Sequence, residues 1–151
     1  MFEELSLKEK VQNITYLESR PWGDFFCFGQ NVDCTAKVLI LNPGESLSLQ
    51  YHRHRAQLYY IISEGIEVSQ SDIPFPDGEK VDKEVWIKEH VKTHFGRPGD
   101  LFFFDIGVVH SVRNPDYNND GEKGYITEVA YGANDELDIV RLRDRYGREN
   151  K

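Results

Sequence analysis

Cysteine is scarce in this sequence: Cys27 and Cys34 are the only two. They lack the four-ligand spacing of a structural zinc site and read as two reduced, packed thiols of a cytoplasmic protein. Long apolar runs are missing as well. Nothing approaches the ~18 consecutive apolar residues that cross a bilayer, and the charged start Met1–Lys10 has no signal-peptide form, so no membrane partner is expected. Basic residues are outnumbered, with 18 Lys and Arg against 26 Asp and Glu, a net charge of -8. A nucleic-acid surface needs a clustered basic face to displace counterions from phosphates, which excludes nucleic acid as a partner. A small anion can still bind a few local arginines. Repeats, low-complexity tracts and linkers are absent too, so residues 1–151 are expected to form a single domain.

What is present points to short strands. Ser6 and Glu9 have the capping-box spacing before an apolar helical pattern from Leu7 through Val11 and Ile14, which predicts a short N-terminal helix within an arm over residues 1–19. From Pro21 the pattern changes to brief aromatic and β-branched runs between turn residues: Phe25–Phe28, Ala36–Leu41, Leu47–His54, Leu58–Ile62, Leu101–Phe104, Ser111–Val112 and Tyr125–Tyr131. Such a series suggests an all-β sandwich or barrel. Residues 66–97 break the rhythm and read as an insertion, with a loop followed by a helix from Asp82 to His94 closed by Gly96.

Side chains at i and i+2 of a strand share a face, so His52 and His54 are expected to send two imidazoles the same way, in chelating geometry. Gln50 and Ser48 fall on that face; Leu47 and Leu49 belong to the other. A Pro43-Gly44 turn precedes this strand, and a Pro98-Gly99 turn opens the segment that leads to His110. Alternation places Val112 on the face of His110, as at an inward barrel position.

These segments resemble a known family. Gly44 through Ile62 and Pro98 through His110 are similar to the two consecutive cupin motifs. The closer resemblance is to the cupin domain of type II mannose-6-phosphate isomerases. It is carried by Arg20-Pro21-Trp22-Gly23, by Asn42 through Arg55, and by Asp138-Ile139-Val140-Arg141-Leu142 with Asp144, Tyr146, Gly147 and Arg148. The resemblance implies a jelly-roll β-barrel holding one divalent ion, Zn, Mn, Co or Fe, on His52, His54, Gln57 and His110. It places Gln50, Glu128 and Arg55 at the sugar pocket. Two departures stand out. Gln57 occupies the place of a glutamate ligand and brings no negative charge, and residues 66–97 replace a short hairpin. The Gly-rich, basic phosphate loop of the nucleotidyltransferase domain that often accompanies this cupin has no counterpart here, so sugar-nucleotide synthesis is not expected of this chain.

Glu128 lies within the apolar run Tyr125–Tyr131, where a carboxylate is costly unless it meets a metal, a base or a proton. It is the expected acid/base group. Arg55, with its planar fork of donors, is the expected phosphate ligand; Lys37, Arg113 and Arg141 are weaker candidates. His90 and His94 read as complements to a helix dipole. The function implied by the resemblance is aldose–ketose isomerisation of a sugar phosphate by a homodimer. A non-catalytic sugar-phosphate or sugar-nucleotide binding cupin and an Fe(II) oxygenase are the other readings.

Overall fold

The computed structural model describes residues 6–21, 23–29, 33–132 and 137–148. Helix α1 (Leu7–Ile14) starts with the predicted capping box: the Glu9 amide donates to the Ser6 hydroxyl at 3.2 Å and the Ser6 amide donates to Glu9 at 2.8 Å. A hairpin of β1 (Tyr16–Arg20) and β2 (Gly23–Cys27) follows. Trp22 lies outside the described residues.

Two antiparallel sheets form the body. One runs in the order β3 (Cys34–Leu41), β10 (Gly124–Gly132), β5 (Arg55–Ile61), β8 (Leu101–Phe104). The other runs β11 (Val140–Arg143), β4 (Leu49–Tyr51), β9 (Val108–Arg113), β6 (Ile66–Pro74), β7 (Val91–Gly96). No strand pairing joins the two sheets among the described residues. This is the all-β cupin arrangement, as two facing sheets rather than a closed ring of hydrogen bonds.

Alternation along the strands sorts side chains into three layers. Between the sheets lie Leu41, Tyr59, Ile61, Ile66, Val68, Phe104, Val112 and Ile126, all buried. Outside the β4-containing sheet, Tyr51, Val109 and Leu142 pack under helix α2 (Lys83–His90) through its Trp86 and Ile87. Outside the β5-containing sheet, Leu58, Val129 and Tyr131 are met by Leu7 of α1 and by Phe28. The apolar filling occupies only part of the inner layer; the remainder is polar and forms the site described below.

Residues 66–97 carry the expected helix, but strands of the main sheet flank it. β6 sits inside its sheet between β9 and β7, so this segment supplies two of that sheet's five strands. Asp82 caps α2 as predicted, accepting from the Glu84 and Val85 amides at 3.0 and 3.1 Å. The helix stops at His90, however, because the β-branched and aromatic stretch Val91–Phe95 pairs with β6 instead of continuing the helix. Gly96 then ends β7: an added Cβ would stand 3.2 Å from an Ile61 carbon and 3.3 Å from the Ile66 carbonyl. His94 is therefore an exposed strand residue, and His90 is bonded to Asp72 at 2.9 Å. Cys34 also departs from expectation. It is a free, exposed thiol on the outer face of β3, not a packed one.

Candidate metal centre and basic pocket

β4 is shorter than predicted, and that decides which histidines meet. Its last strand residue is Tyr51. Beyond His52 the chain turns, and both following amides donate to one carboxylate: Arg53 to Asp138 Oδ1 and His54 to Asp138 Oδ2, each at 2.9 Å. Alternation no longer applies past the turn, so His52 is buried while His54 is exposed. The i, i+2 pair that shares the inner face is Gln50 and His52. Leu47, just before the strand, likewise turns inward against the inner core, whereas Leu49 packs outside as predicted.

His110 on β9 is the direct cross-strand partner of Gln50, and its ring lies 5.2 Å from that of His52. The His110 ring stacks on Phe104 at 4.5 Å and meets the edge of Tyr59 at 5.8 Å. From the facing sheet, Arg55, Gln57 and Tyr59 project inward at successive alternate positions of β5. Glu128 on β10 lies between Tyr59 and Lys37 in the register and is also buried.

Both imidazoles are held in one tautomer. His52 Nδ1 donates to the Asp138 carbonyl, and His110 Nδ1 donates to the Val108 carbonyl at 2.9 Å. With Nδ1 committed as donor, each Nε2 presents a lone pair to the interior. Among the described residues neither Nε2 has a hydrogen-bond partner, nor does either amide atom of Gln57, and all four atoms are buried. Gln57 faces the His52 ring without a hydrogen bond of ordinary geometry to it. Gln50 is engaged locally: its Oε1 accepts from Ser48 at 2.6 Å.

Buried polar atoms are nearly always paired, and these four converge without pairing. The donors fit a divalent ion: two neutral imidazoles at lone-pair nitrogens and an amide oxygen, with the Gln50 amide adjacent. Among the described residues no three His, Cys, Asp or Glu side chains are grouped for a metal, so amides must complete any such set.

Burial is the largest influence on both imidazoles, pushing His52 below the usual histidine range and His110 down to about 3. The unfolded chain thus takes up protons near pH 6.5 that the native site refuses. Stability is full above that pH and is lost as pH falls from about 6.5 toward 3. Thermal melts of metal-stripped protein should show a plateau above pH 7 and a steep fall below 6, and His110→Asn should flatten that fall.

Beside these donors a pocket of about 170 Å³ is lined by Lys37, Ser48, Gln50, Arg55, Glu128, Arg141 and Arg148, among others. The Nε atoms of Arg55 and Arg141 are buried without partners among the described residues, whereas Arg148 is paired with Asp144 at 2.8 and 2.9 Å. Arg113, the remaining phosphate candidate, is elsewhere: it faces outward and pairs with Glu67 at 3.6 Å. A larger depression of about 700 Å³ lies on that outer face, between α2 and the sheet. It contains none of the convergent donors.

Asp138 is the site residue that patterning missed. It stands outside any strand, and its role comes from three separate bonds to the 52–54 turn, for which spacing gives no signal. Asp138→Ala should weaken metal binding by about 10- to 100-fold, the range for groups that orient ligands, with Asn intermediate because its amide keeps one acceptor oxygen. Metal titration of the folded variants checks this.

The comparisons with known proteins agree with this architecture. The model of the family described as mannose-6-phosphate isomerase C-terminal matches residues 8–91. Mannose-1-phosphate guanylyltransferase 2 of Escherichia coli O157:H7 is 28% identical over 98% of this chain and 26% of its own length. The xanthan biosynthesis protein XanB of Xanthomonas campestris pv. campestris is 31% identical over 85% of this chain and 23% of its own. The chain thus spans about a quarter of the length of these relatives. Among solved structures, the L-ribose isomerase of Cellulomonas parahominis superposes with a TM-score of 0.57 at 16% identity, covering 75% of this chain and 59% of that one. This likeness extends to the fold.

Proposed function

Because the chain belongs to the mannose-6-phosphate isomerase C-terminal family, we propose that it is a metal-dependent isomerase interconverting mannose 6-phosphate and fructose 6-phosphate. The observation that carries the reading is the set of buried, unpartnered donors beside a basic pocket. His52, His110 and Gln57 hold the ion, one of Zn²⁺, Mn²⁺, Co²⁺ or Fe²⁺. When bound, it supplies Lewis-acid polarisation of the sugar's carbonyl oxygen. Arg55 holds the phosphate and Gln50 positions the sugar. Glu128 removes the proton from C2 and returns it to C1, while a hydroxyl proton passes from O2 to O1, so the step consumes nothing. The exposed thiol of Cys34 suits a reducing compartment such as the cytoplasm. The edge strand β3, with Val38 and Ile40 exposed, suits pairing in a homodimer.

A second reading, a sugar-phosphate binding protein without turnover, draws on the absence of a carboxylate from the donor set. A coupled isomerase assay on mannose 6-phosphate, with metal content measured on the same preparation, separates the two. Activity that a chelator removes and one ion restores supports the isomerase. Stoichiometric metal without turnover overturns it in favour of the binding protein.

A further inference from the structure

The inward donors are two imidazoles and two amides, all neutral, so a dication on them keeps its full charge. Arg55 stands two residues from Gln57 on the same inward face of β5 and is only 5% exposed. The centre that would hold a cation thus lies within the field of a buried guanidinium.

That guanidinium is itself unfinished. Among the described residues its Nε has no acceptor, and neither has the Nε of Arg141, which reaches the same pocket from β11 in the opposite sheet. Leaving a buried donor unsatisfied is costly. Lys37 adds a third cation, and Glu128 is the one carboxylate in the lining among the described residues. In a chain of net charge -8, this concentration of positive charge is a local device for an anion. The volume, about 170 Å³, holds a group the size of a phosphate with room for part of a sugar.

We propose that Arg55 and Arg141 form a two-sheet seat for a tetrahedral oxyanion, and that this anion and the divalent ion on His52, His110 and Gln57 strengthen each other's binding. The inference rests on the metal-binding part of the proposed function but not on turnover. An anion on the guanidinium groups cancels the charge that repels the dication, and linkage requires the same factor in both directions. Metal affinity measured on the protein alone would then understate the affinity that operates with a phosphorylated ligand in place.

The test is equilibrium dialysis of the full chain against Mn²⁺, with sulfate as the oxyanion and chloride at equal ionic strength as the control. Saturating sulfate should tighten Mn²⁺ binding on the order of tenfold, and Mn²⁺ should tighten sulfate binding by the same factor. Arg55→Met keeps a stem of similar length. It should bind Mn²⁺ more tightly than the parent in chloride and lose the response to sulfate, whereas loss of a merely structural residue would weaken binding in both. Arg141→Met, at a less buried position, should reduce the sulfate response without tightening Mn²⁺ binding. Bound Mn²⁺ whose affinity ignores sulfate overturns the coupling, as does a folded Arg55→Met that binds Mn²⁺ more weakly in chloride. No Mn²⁺ binding in either salt removes the metal reading and the coupling together. Coupling in a protein inactive on mannose 6-phosphate instead sinks the isomerase and leaves this inference standing.

Discussion

Replacing His54 with alanine should leave metal affinity within about threefold of the parent, while His52→Ala or His110→Ala should lower it by at least ~100-fold. The second figure is a lower bound, since groups that merely orient a ligand are worth 10- to 100-fold. The difference follows from one bend in the chain. The Arg53 and His54 amides both donate to Asp138, and this turns the His54 side chain out to solvent while His52 stays buried against His110. His54→Ala removes no buried contact, so its melting temperature should stay close to the parent's. His52→Ala leaves the Asp138 carbonyl without its donor and opens space beside His110, so some loss of stability will accompany the loss of metal. His52→Gln keeps most of the volume and can serve as the matched control. Metal content after dialysis, measured on all four proteins, decides the matter. A His54→Ala protein that emerges stripped of metal would mean that the turn rearranges on binding and that the ligand set is the one the motif implies.

Much of the architecture was legible from residue order because its signals are local. The capping box at Ser6 and Glu9, the N-cap at Asp82, and the runs that became β3, β5, β8 and β10 each follow from residues a few positions apart. β6 was hidden because its outer positions, such as Glu67 and Ser69, are polar and its second half, Asp72 to Pro74, is exposed. β7 was hidden because only its two ends are shielded from solvent. Strand β11 follows a stretch of polar residues and gains its meaning only by lying against β4. At the site, alternation was the right rule applied one step too far along. It pairs His52 with Gln50, and the error came from Asp138, whose influence on the turn acts across 84 to 86 positions of sequence. Gln57, Glu128 and Arg55 do face the interior, because each sits within a regular strand whose parity holds throughout its length.

Glu128→Gln should reduce isomerase turnover by about 10²- to 10⁴-fold, the usual worth of a positioned acid–base group, with metal affinity nearly unchanged. The substitution preserves shape and hydrogen-bonding capacity but removes the lone pair that accepts a carbon-bound proton. Glu128 is buried and lines the basic pocket, next to Tyr59 and Lys37 in the register of its sheet. Among the described residues it is the only carboxylate in that lining, so no other described carboxylate in the pocket can take over the transfer. The effect should fall on kcat rather than KM, because a proton acceptor acts in the transition state, whereas the phosphate contact proposed for Arg55 would be made in ground and transition states alike. Exchange of the C2 proton with solvent deuterium gives a second readout that does not depend on completing the reaction. It should stop in Glu128→Gln and persist at a reduced level in Arg55→Met. Retention of exchange and turnover in Glu128→Gln would remove this residue from the chemistry. The polar side chains left in the pocket lining among the described residues would then be Lys37, Ser48, Gln50, Arg55, Arg141 and Arg148, none of them a carboxylate.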